Sequence, residues 1–540
     1  MHKPLLTTLL LLSGFAGPLQ AQLGPPPFPA ENPITEAKRI LGKALFWEEQ
    51  LSSDSTVSCG TCHFPSAGGS DPRTGFNTVN PGPDGLFGSF DDILASPGVA
   101  LTDANEDYEP HPNFGFKPQI TGRMANPATG AAHFDELFWD GRAGSTFINP
   151  ETGQVSIVSG GALESQAVGP ILSSVEMASP GRTWDQVRTR LSSVRPLALA
   201  WNLTPDLVSA IGPNTSYEDL FETAFGDSAI TAERIAYALA TYQRTLNPDD
   251  TPWDRFQNGQ SSAMTSSQIQ GMNIFNGSGA RCSECHPGPL FSDGSYRNLG
   301  IRPISDDAGR MDVTGLFGDR GKFKVPGLRN AALRTRLFHN GSANGLITVM
   351  IFYDGEGGPF PDNKDSLMNG LSLPTQSRLL VEDFIFGGLT DARVQNELPP
   401  FDRPRLNSES PFPAPVLQGG AVSGSGGYAP KMLALDPSSI GNSSFKLGLH
   451  NALGGAAARL VWYANGTPPM GGPAHQGLLF PHTPIVLSGA GAGQGYGTWH
   501  RPIPMIPALV GTVMHCQWFI ADPAAPRGMA RSEIAQVEFF

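Results

Sequence analysis

Two copies of one five-residue pattern, C-x-x-C-H, constrain this chain more than any other feature of its sequence. The copies are Cys59-Gly-Thr-Cys62-His63 and Cys282-Ser-Glu-Cys285-His286, and they use four of the five cysteines. In this pattern two thiols lie one turn apart, placed to form thioether bonds with the vinyl groups of a haem, and the next histidine reaches the iron. A redox-active dithiol or half of a zinc site would not explain a histidine directly after both pairs. The sequence therefore predicts two covalently bound c-type haems.

The first 21 residues have the pattern of a cleaved signal peptide. Met1-His2-Lys3 is a short positive start, the stretch 5–15 is mostly apolar, and Leu19-Gln20-Ala21 offers a small-residue cleavage site. The apolar stretch is too short for a membrane span, and no other segment of the sequence approaches the required length. Because covalent haem attachment normally takes place outside the cytoplasm, we expect a soluble periplasmic or secreted protein.

The net charge of the chain indicates which classes of binding partner are expected. The formal net charge of −13 argues against binding to nucleic acid or anionic membranes, and it fits a basic redox partner or no protein partner. Charged residues make up only 16% of the chain, which contains 64 glycines and 49 prolines, so we expect long loops and few helices. The fifth cysteine, Cys516, lies in an apolar run typical of a strand, where a small buried thiol is expected.

Composition divides the chain into three regions after the predicted signal peptide at 1–21. Residues 22–256 contain the first motif, followed by a long passage rich in Gly, Pro, Asn and Asp. Residues 262–406 contain the second motif, again at the end of an amphipathic stretch, which suggests an old duplication. Residues 412–540 follow a linker rich in Pro and Gly. Their short apolar segments alternate with turns, which predicts a small all-β, sandwich-like domain.

Periodicity and capping residues predict individual elements. Apolar residues at helical spacing predict helices at 183–191, 231–242 and 265–275, and a shorter helix at 379–386 that ends before two glycines. In the third region we expect strands at 444–449, 458–463, 484–487 and 513–520. The predicted helices therefore fall in the two haem regions and the predicted strands in the third.

Beyond the haem motifs, four segments resemble the bacterial di-haem cytochrome c peroxidase and MauG family. They are Leu137-Phe-Trp-Asp-Gly-Arg142; Leu163-Glu-Ser-Gln-Ala167 with Gly169-Pro170 and Val175-Glu-Met177; Gly288-Pro-Leu-Phe-Ser-Asp-Gly294; and Lys324-Val-Pro-Gly-Leu-Arg-Asn330 with Phe338-His-Asn-Gly341. They occur in the family's order and cover about residues 35–405, and the third region lies outside the resemblance. The resemblance implies a mainly α fold with two cytochrome c-like haem domains and long loops, followed here by the all-β domain.

The resemblance also implies roles for positions near the first haem, whose iron His63 would hold. Trp139 aligns with the tryptophan that lies between the two haems and passes electrons. Gln166, Pro170 and Glu176 match residues around the open face of the first haem, where the family's glutamate acts as acid and base on peroxide. Cleavage of an O–O bond needs such a group, because one proton must move between the two oxygens. The purely structural alternatives are that Trp139 is an ordinary buried aromatic residue and that Glu176 is a carboxylate at the start of a helix.

The second haem, held by His286, needs a sixth iron ligand that sets its potential. The family uses a methionine in the peroxidases and a tyrosine in MauG. Counted from His339 in the F-H-x-G landmark, that position is Tyr353, in a segment similar to the family's F-Y-x-x-G-G variant. Met350 lies one helical turn earlier and is the alternative ligand.

One departure from the family pattern concerns access to the first haem. Classical peroxidases cap the resting iron with a histidine in the stretch that corresponds to Thr74–Thr78, and this chain has none there. We therefore expect an open first haem that needs no reductive activation. His111 and His133 are substitutes for the cap, although a loop or domain surface is the simpler assignment for each.

Other departures concern calcium and the substrate. The family's inter-domain calcium site aligns with Met124, close to Asn126, and its carbonyl donors align with Arg334 and Arg336, so Ca²⁺ is a candidate cofactor with an altered ligand set. MauG also has a tryptophan two residues before its second haem motif, through which it draws electrons from a protein substrate. This chain has Ala280 there, which argues against tryptophylquinone formation.

These features together predict a di-haem peroxidase-like oxidoreductase. Hydrogen peroxide would be reduced at the open haem, and electrons would arrive through the second haem from a small cytochrome, a cupredoxin or an organic substrate. A MauG-like oxidase that acts on a protein or small molecule is the alternative within the family. A non-enzymatic electron carrier or redox sensor is the alternative outside it, and it would need both irons to be six-coordinate.

Overall fold

The structure is a computed structural model that describes residues 23–464 and 484–540. Helices account for 30% and strands for 17% of the residues described. The chain as a whole is therefore mixed rather than mainly α, because the third region is built of sheets and the loops of the haem regions contain short β-ribbons. The predicted signal peptide at 1–21 lies outside the described residues. Within the described ranges, no helix combines the length and the apolar character needed to cross a membrane.

Helices form the frame of the first haem region. They are α1 (Glu36–Phe46), α2 (Cys59–Cys62), α3 (Ala162–Leu172), α4 (Trp184–Ser193), α5 (Pro205–Ala210), α6 (Tyr217–Phe225), α7 (Ala232–Thr245) and α8 (Pro252–Gln257). The predictions at 183–191 and 231–242 are confirmed as α4 and α7, whose N-caps are Thr183 and Thr231. Helix α1 crosses α7 closely at Gly42, where a Cβ would lie 1.9 Å from the carbonyl oxygen of Ala238.

The second haem region repeats this arrangement with fewer helices. They are α9 (Ser266–Phe275), α10 (Met311–Thr314), α11 (Leu346–Asp354), α12 (Thr375–Asp383) and α13 (Ala392–Gln395). The prediction at 265–275 is confirmed as α9, which begins with a capping box formed by Thr265 and Gln268. The helix predicted at 379–386 begins earlier, after Pro374, and its last turn, Phe384–Gly388, is π-helical.

Short elements connect these helices. Single helical turns lie at Glu49–Leu51, Pro65–Ala67, Phe76–Thr78, Ala131–His133, Cys282–Glu284, Phe317–Asp319, Ala331–Leu333, Ser366–Met368, Asn407–Glu409, Ser425–Gly427, Pro507–Leu509 and Pro526–Gly528. The antiparallel ribbons of the haem regions pair β1 (Val79–Asn80) with β2 (Ile93–Leu94), β3 (Pro97–Ala100) with β4 (Pro118–Ile120), β5 (Phe147–Ile148) with β6 (Val155–Ile157), and β7 (Tyr296–Arg297) with β8 (Phe323–Lys324). Much of each haem region is therefore loop, as the glycine and proline content predicts.

The third region consists of two antiparallel sheets. Its strands are β9 (Val416–Gln418), β10 (Lys431–Leu433), β11 (Lys446–Ala452), β12 (Ala457–Tyr463), β13 (Ile485–Val486), β14 (Gly495–His500), β15 (Val513–Ala521) and β16 (Met529–Glu538). The sheet orders are β10-β11-β14 and β13-β12-β15-β16-β9. Leu447 of the smaller sheet and Trp462 and Trp518 of the larger one belong to one buried cluster. The predicted all-β, sandwich-like region is therefore confirmed, together with its four predicted strands and the buried Cys516.

This β region packs against a loop of the first haem region. The Tyr108 hydroxyl donates to Asp436 Oδ1 at 3.0 Å, and the Tyr108 N–H donates to Thr498 Oγ1 at 2.8 Å. The Tyr496 hydroxyl donates to Glu109 Oε2 at 2.9 Å. The β region is thus connected to the half of the molecule that contains the first motif.

Each haem region has its own apolar core, and the two cores exchange some residues at their margins. Phe401 and Leu406 join the core of the first region, whereas Trp253 joins the core of the second. The predicted boundaries, with regions at 22–256, 262–406 and 412–540, stay predictions.

Candidate functional site

The first C-x-x-C-H motif opens onto a large cavity. The cavity has a volume of 940 Å³ and is lined by Cys59, Cys62 and His63, a size typical of sites that bury a ligand as large as a cofactor. Helix α2 places the two thiols, and its capping box is formed by Ser58 and Thr61. Gly60 is required inside the motif, because a Cβ there would lie 2.2 Å from the indole of Trp47.

The imidazole of His63 is oriented as a metal ligand would be. Its Nδ1 lies 3.0 Å from the carbonyl oxygen of Gly69, so Nδ1 carries the proton and Nε2 is free to bind a metal. Burial lowers the pKa of His63, and the Gly69 carbonyl only partly opposes this effect. The neutral ring, which is the form that coordinates iron, is therefore favoured.

The three side chains predicted to surround the open face of the first haem line the same cavity as His63. Gln166 and Pro170 come from α3, and Glu176 comes from the turn that follows it. Gly98 allows that turn to approach, since a Cβ there would lie 1.9 Å from the carbonyl oxygen of Val175. The structure therefore brings together the acid–base candidate and the motif that would hold the first haem.

Helix α3 is held in place by a buried ion pair. Glu164 on α3 is fully buried and accepts two hydrogen bonds from the Arg244 guanidinium, at 2.7 and 3.0 Å. The Asn32 side chain donates a third, at 2.8 Å. A bidentate pair of this kind limits the movement of the helix that carries Gln166 and Pro170.

The two histidines named above as substitutes for the capping histidine, His111 and His133, lie outside the first cavity. His133 Nε2 is 2.9 Å from Asn247 Oδ1, and His111 Nδ1 accepts a hydrogen bond from the Asn113 N–H at 3.0 Å. Neither lines the first cavity, and among the described residues His63 contributes the only imidazole there. The chain thus offers Glu176, and not a second histidine, to a ligand bound at His63.

The second motif borders a smaller cavity of 180 Å³. Cys282, Cys285 and His286 line it, and His286 Nδ1 lies 2.9 Å from the carbonyl oxygen of Phe291, which leaves Nε2 for a metal. Both candidates for the sixth ligand, Tyr353 and Met350, come from α11 and line this cavity. Burial raises the pKa of Tyr353. Since both side chains reach the cavity, the choice between them stays a prediction.

A shared wall separates the two cavities. Nine residues line both of them: Met124, Ala125, Pro127, Trp139, Arg302, Asp307, Lys324, Pro326 and Arg334. The predicted bridge, Trp139, is buried in this wall and donates from its indole N–H to the carbonyl oxygen of Met124 at 2.8 Å. Its ring centroid lies 6.3 Å from that of His339. Trp139 therefore lies between the cavities of the two motifs, and its role as an electron bridge stays a prediction.

The wall has an internal pseudo-symmetry. The Met124 N–H donates to the His339 carbonyl, and the Lys324 N–H donates to the Trp139 carbonyl, each at 2.7 Å. Phe138 and Phe338 both have positive φ, at 64° and 67°. The segment Leu137-Phe-Trp-Asp-Gly-Arg-Ala143 recurs 200 residues later as Leu337-Phe-His-Asn-Gly-Ser-Ala343. This repeat supports the predicted duplication, and it is the sequence signal that would have revealed His339 as the counterpart of Trp139.

The residues at both cavities fit covalently attached haem. Each cavity presents two thiols and one oriented imidazole, as described above. In addition, buried polar atoms without a hydrogen-bond partner occur in four residues that line the second cavity: Arg297, Arg302, Arg334 and His339. Unpartnered buried donors are costly unless a bound group accepts from them, and the carboxylates of a haem would do so.

The residues aligned with the calcium site lie at the two cavities, and Ca²⁺ stays a prediction. The Met124 carbonyl accepts from Trp139, and Asn126 lines the first cavity. Arg334 and Arg336 line the second cavity. Among residues 23–464 and 484–540, no group of three or more His, Cys, Asp or Glu side chains is placed to hold a metal ion.

Comparisons with known proteins agree with this geometry. A sequence model described as di-haem cytochrome c peroxidase matches residues 36–262. Cytochrome-c peroxidase IdrP1 of Pseudomonas sp. (strain SCT) is 28% identical over 77% of this chain and 99% of its own length. The methylamine utilization protein MauG of Methylophilus methylotrophus is 30% identical over 61% of this chain and 76% of its own length.

One solved structure has a similar fold. The crystal structure of a MauG-like protein associated with microbial copper homeostasis has a TM-score of 0.50 and 22% sequence identity, and the match covers 72% of this chain and 98% of that protein. At this level of identity the likeness concerns the fold alone. It covers most of the chain and nearly all of the solved protein.

Proposed function

The chain belongs to the di-haem cytochrome c peroxidase and MauG family, and from this premise we propose that it reduces hydrogen peroxide at the cavity of His63. Electrons would pass there from the cavity of His286. Haem c bound at each motif would supply the iron that binds peroxide at one site and relays electrons at the other. The observation that supports this division most directly is that Glu176 lines the cavity of His63, where no second imidazole is present among the described residues.

Glu176 is assigned as the acid–base catalyst. Reduction of one peroxide to two waters consumes two electrons and two protons, and it requires a proton to move from one peroxide oxygen to the other. The Glu176 carboxylate accepts that proton and returns it to the departing oxygen. Gln166 offers an amide that can orient peroxide through hydrogen bonds. Pro170 presents an apolar surface without an N–H donor, which limits competing hydrogen bonds.

Trp139 is assigned as the link between the two sites. Its indole lies in the shared wall, and its N–H is fixed by the Met124 carbonyl. His286 and Tyr353, with Met350 as the alternative, would hold the second iron and close it to peroxide. A donor therefore need never approach the peroxide cavity. The chain's net charge of −13 fits a basic donor, such as a small cytochrome or a cupredoxin, and an organic reductant is the other class.

The same reasoning supports the domain organisation and the location. We assign residues 22–256 and 262–406 as cytochrome c-like haem domains and residues 412–540 as a separate β domain. A periplasmic or secreted location follows from the requirement for haem attachment at two C-x-x-C-H motifs. Ala280 is buried at the second cavity, where MauG has a tryptophan, so we do not assign oxidation of a protein substrate through that position.

Spectroscopy of the oxidised protein tests the proposal. We expect one high-spin haem signal and one low-spin signal in electron paramagnetic resonance, and loss of the high-spin signal when peroxide is added. Steady turnover of peroxide with a reduced small cytochrome should accompany it. Two low-spin haems, with no change on addition of peroxide, would instead identify an electron carrier.

Two matched substitutions test the sixth ligand of the second haem. If Tyr353 is the ligand, Tyr353→Phe changes the optical spectrum of the low-spin haem and Met350→Leu leaves it unchanged. Since both side chains line the same cavity, each variant serves as the packing control for the other. The reverse outcome would identify a His/Met haem, as in the peroxidases.

A further inference from the structure

Arg334 is a half-buried cation for which the described residues provide no counter-charge. It follows the helical turn at 331–333, and its Nη2 donates to the carbonyl oxygens of Gly327 at 3.0 Å and Arg329 at 3.3 Å. Its Nε is buried and has no hydrogen-bond partner. Burial lowers the pKa of Arg334 to about 10, with no carboxylate opposing the shift. Among the described residues, no carboxylate forms an ion pair with it.

Arg302 lies in the same wall and also has guanidinium donors without hydrogen-bond partners, although Asp306 supplies a counter-charge at a longer distance. Its Nε and Nη2 are buried and have no hydrogen-bond partner, and the nearest carboxylate, Asp306 Oδ2, is 3.6 Å from Nη2. By contrast, the buried Arg329 is satisfied by two short hydrogen bonds to Asp254, at 2.6 and 2.7 Å. Buried guanidinium groups can therefore be fully paired in this chain, and the two in the wall are not.

The location of Arg302 and Arg334 indicates where a group that accepts their hydrogen bonds would bind. Both line the cavity of His63 and the cavity of His286. The third cation of the wall, Lys324, donates to a backbone carbonyl, and the one carboxylate there, Asp307, is engaged by Arg123 at 2.6 and 2.8 Å. Among the nine residues of the wall there are thus three cations and one carboxylate, and that carboxylate is already paired with Arg123. A buried charge is tolerated when a bound group of opposite charge satisfies it.

We propose that Arg334, with Arg302 in the same wall, binds the carboxylate side chains of the haems attached at the two motifs. Guanidinium groups recognise carboxylates in bidentate geometry, so a planar fork with an unpaired N–H is suited to this ligand. Arg334 also occupies a position whose carbonyl the family resemblance assigns to calcium. Its guanidinium supplies a fixed positive charge between the cavities, and the protein does not depend on Ca²⁺ to provide one.

The consequence is a measurable effect on the haem potentials. A fixed cation beside a haem favours the reduced form, which carries one positive charge less than the oxidised form. Arg334→Gln removes the charge and should lower the equilibrium constant for one-electron reduction of at least one haem tenfold, which corresponds to about 59 mV. Arg334→Lys keeps the charge and should retain most of the wild-type potential. Spectroelectrochemical titration of the full-length holoprotein gives these values for each haem.

A charge control separates this local effect from the loss of net charge. Arg255 is half exposed, is paired with Asp250 and lines neither cavity. Arg255→Gln removes one positive charge and should leave both potentials unchanged. Treatment of the wild-type protein with a calcium chelator should also leave them unchanged, and metal analysis should find less than one calcium per chain.

Resonance Raman spectroscopy tests the contact itself, including the case in which Arg334→Gln does not accumulate as folded protein. The propionate bending bands report hydrogen bonding to haem carboxylates, so they should shift in Arg334→Lys, whose ammonium cannot reproduce the fork. Propionate bands in Arg334→Lys at the wild-type frequency would overturn the proposal, as would a stoichiometric calcium whose removal lowers the potentials. The inference rests on haem binding, as proposed above, and not on peroxide turnover. A protein that shows these shifts but no turnover would refute only the proposed function.

Discussion

The cavity of His63 and the cavity of His286 are built on similar backbone arrangements, but they differ in volume and in the side chains that line them. In both halves a helix before the motif crosses its partner at a glycine, Gly42 or Gly271, where a Cβ would lie 1.9 Å from a carbonyl oxygen. In both halves the histidine Nδ1 is bound by a backbone carbonyl. Yet the first cavity measures 940 Å³ and the second 180 Å³.

The two cavities also differ in the side chains that line them. The first is lined by Gln166 and Glu176, polar groups of the kind that can bind a small reactant and transfer its protons. The second is lined by Tyr353 and Met350 from α11, which are the proposed iron ligands. The attachment residues are thus the same at both sites, and the proposed difference in reactivity depends on the other side chains that line each cavity.

The largest expected effect is on turnover at the first site. Glu176→Gln removes the proton acceptor without changing the size of the side chain, and peroxide turnover should fall about 10²- to 10⁴-fold, the usual contribution of general acid–base catalysis. Stopped-flow kinetics with peroxide would measure the loss, while the spectrum of the second haem stays unchanged. Glu222→Gln, on the exposed face of α6, is the matched control. Full activity in Glu176→Gln would show that Glu176 is not the acid–base catalyst, and the proposed functional difference between the two cavities would lose its main support.

The next effect concerns stability and uses two buried, bidentate ion pairs. Glu164 pairs with Arg244 within the first haem region, whereas Asp254, on α8 of the first region, pairs with Arg329 of the second. Glu164→Gln and Asp254→Asn each leave a buried guanidinium without its counter-charge, and each should cost about 3–5 kcal/mol in the free energy of unfolding. Guanidinium chloride unfolding measures the cost, and the absorbance of each haem reports which half loosens. Removing both partners of a pair should cost less than removing one. Equal loosening of both haems by Glu164→Gln would mean that the halves do not unfold independently.

The two helix crossings offer a matched comparison of smaller size. Gly42→Ala and Gly271→Ala would each gain about 1 kcal/mol of helix propensity, but each must separate two helices whose backbones are in contact. We expect a net loss of about 1–3 kcal/mol for either variant, as is usual for overpacking. Gly169→Ala, in α3, meets only ordinary contact at 3.7 Å and is the control. Thermal unfolding measures all three, and a stable Gly42→Ala would show that the crossings are not equivalent.

The smallest expected effect is a pH dependence of the stability of the β region. In the contacts described above, this region packs against the half of the molecule that contains the first motif. Burial raises the pKa of Asp436 to about 7, although Lys446 and Tyr108 oppose the shift. Since the folded state favours the protonated acid, the stabilisation is present below the ordinary pKa of 3.8 and is lost as the pH rises toward 7. Between pH 6 and pH 8 we expect the wild type to lose on the order of 1 kcal/mol in unfolding free energy. In Asp436→Asn, the same measurement should show no such dependence.

Much of the local structure was predictable because its causes are local. Thr183, Thr231 and Thr265 cap α4, α7 and α9 where the sequence pattern indicated. Alternating apolar segments predicted four strands of the β region. The start of α12 was missed, because it is determined by Pro374 and lies before the first apolar pair used for the prediction.

The shared wall was not predictable in the same way. Arg302 and Arg334 come from different loops, and no pattern in either segment indicates that both side chains face the two cavities. The repeat of Leu137–Ala143 at Leu337–Ala343 was present in the sequence, but only the paired hydrogen bonds of Met124 and Lys324 show what it builds. Tertiary packing brings charged side chains from distant segments together, and their spacing along the sequence does not predict it.

By itself, the sequence determined that this protein carries two c-type haem motifs, that its regions differ in secondary structure, and that it resembles one family of peroxidases. These conclusions follow from covalent chemistry and from interactions between residues a few positions apart. Only the tertiary structure decided that Glu176 shares a cavity with His63, that Trp139 lies in the wall between the cavities, and that guanidinium nitrogens in this wall lack hydrogen-bond partners. The reason is physical: reactivity depends on which side chains meet across space, and burial gives their charges an effect that the linear order of residues does not contain.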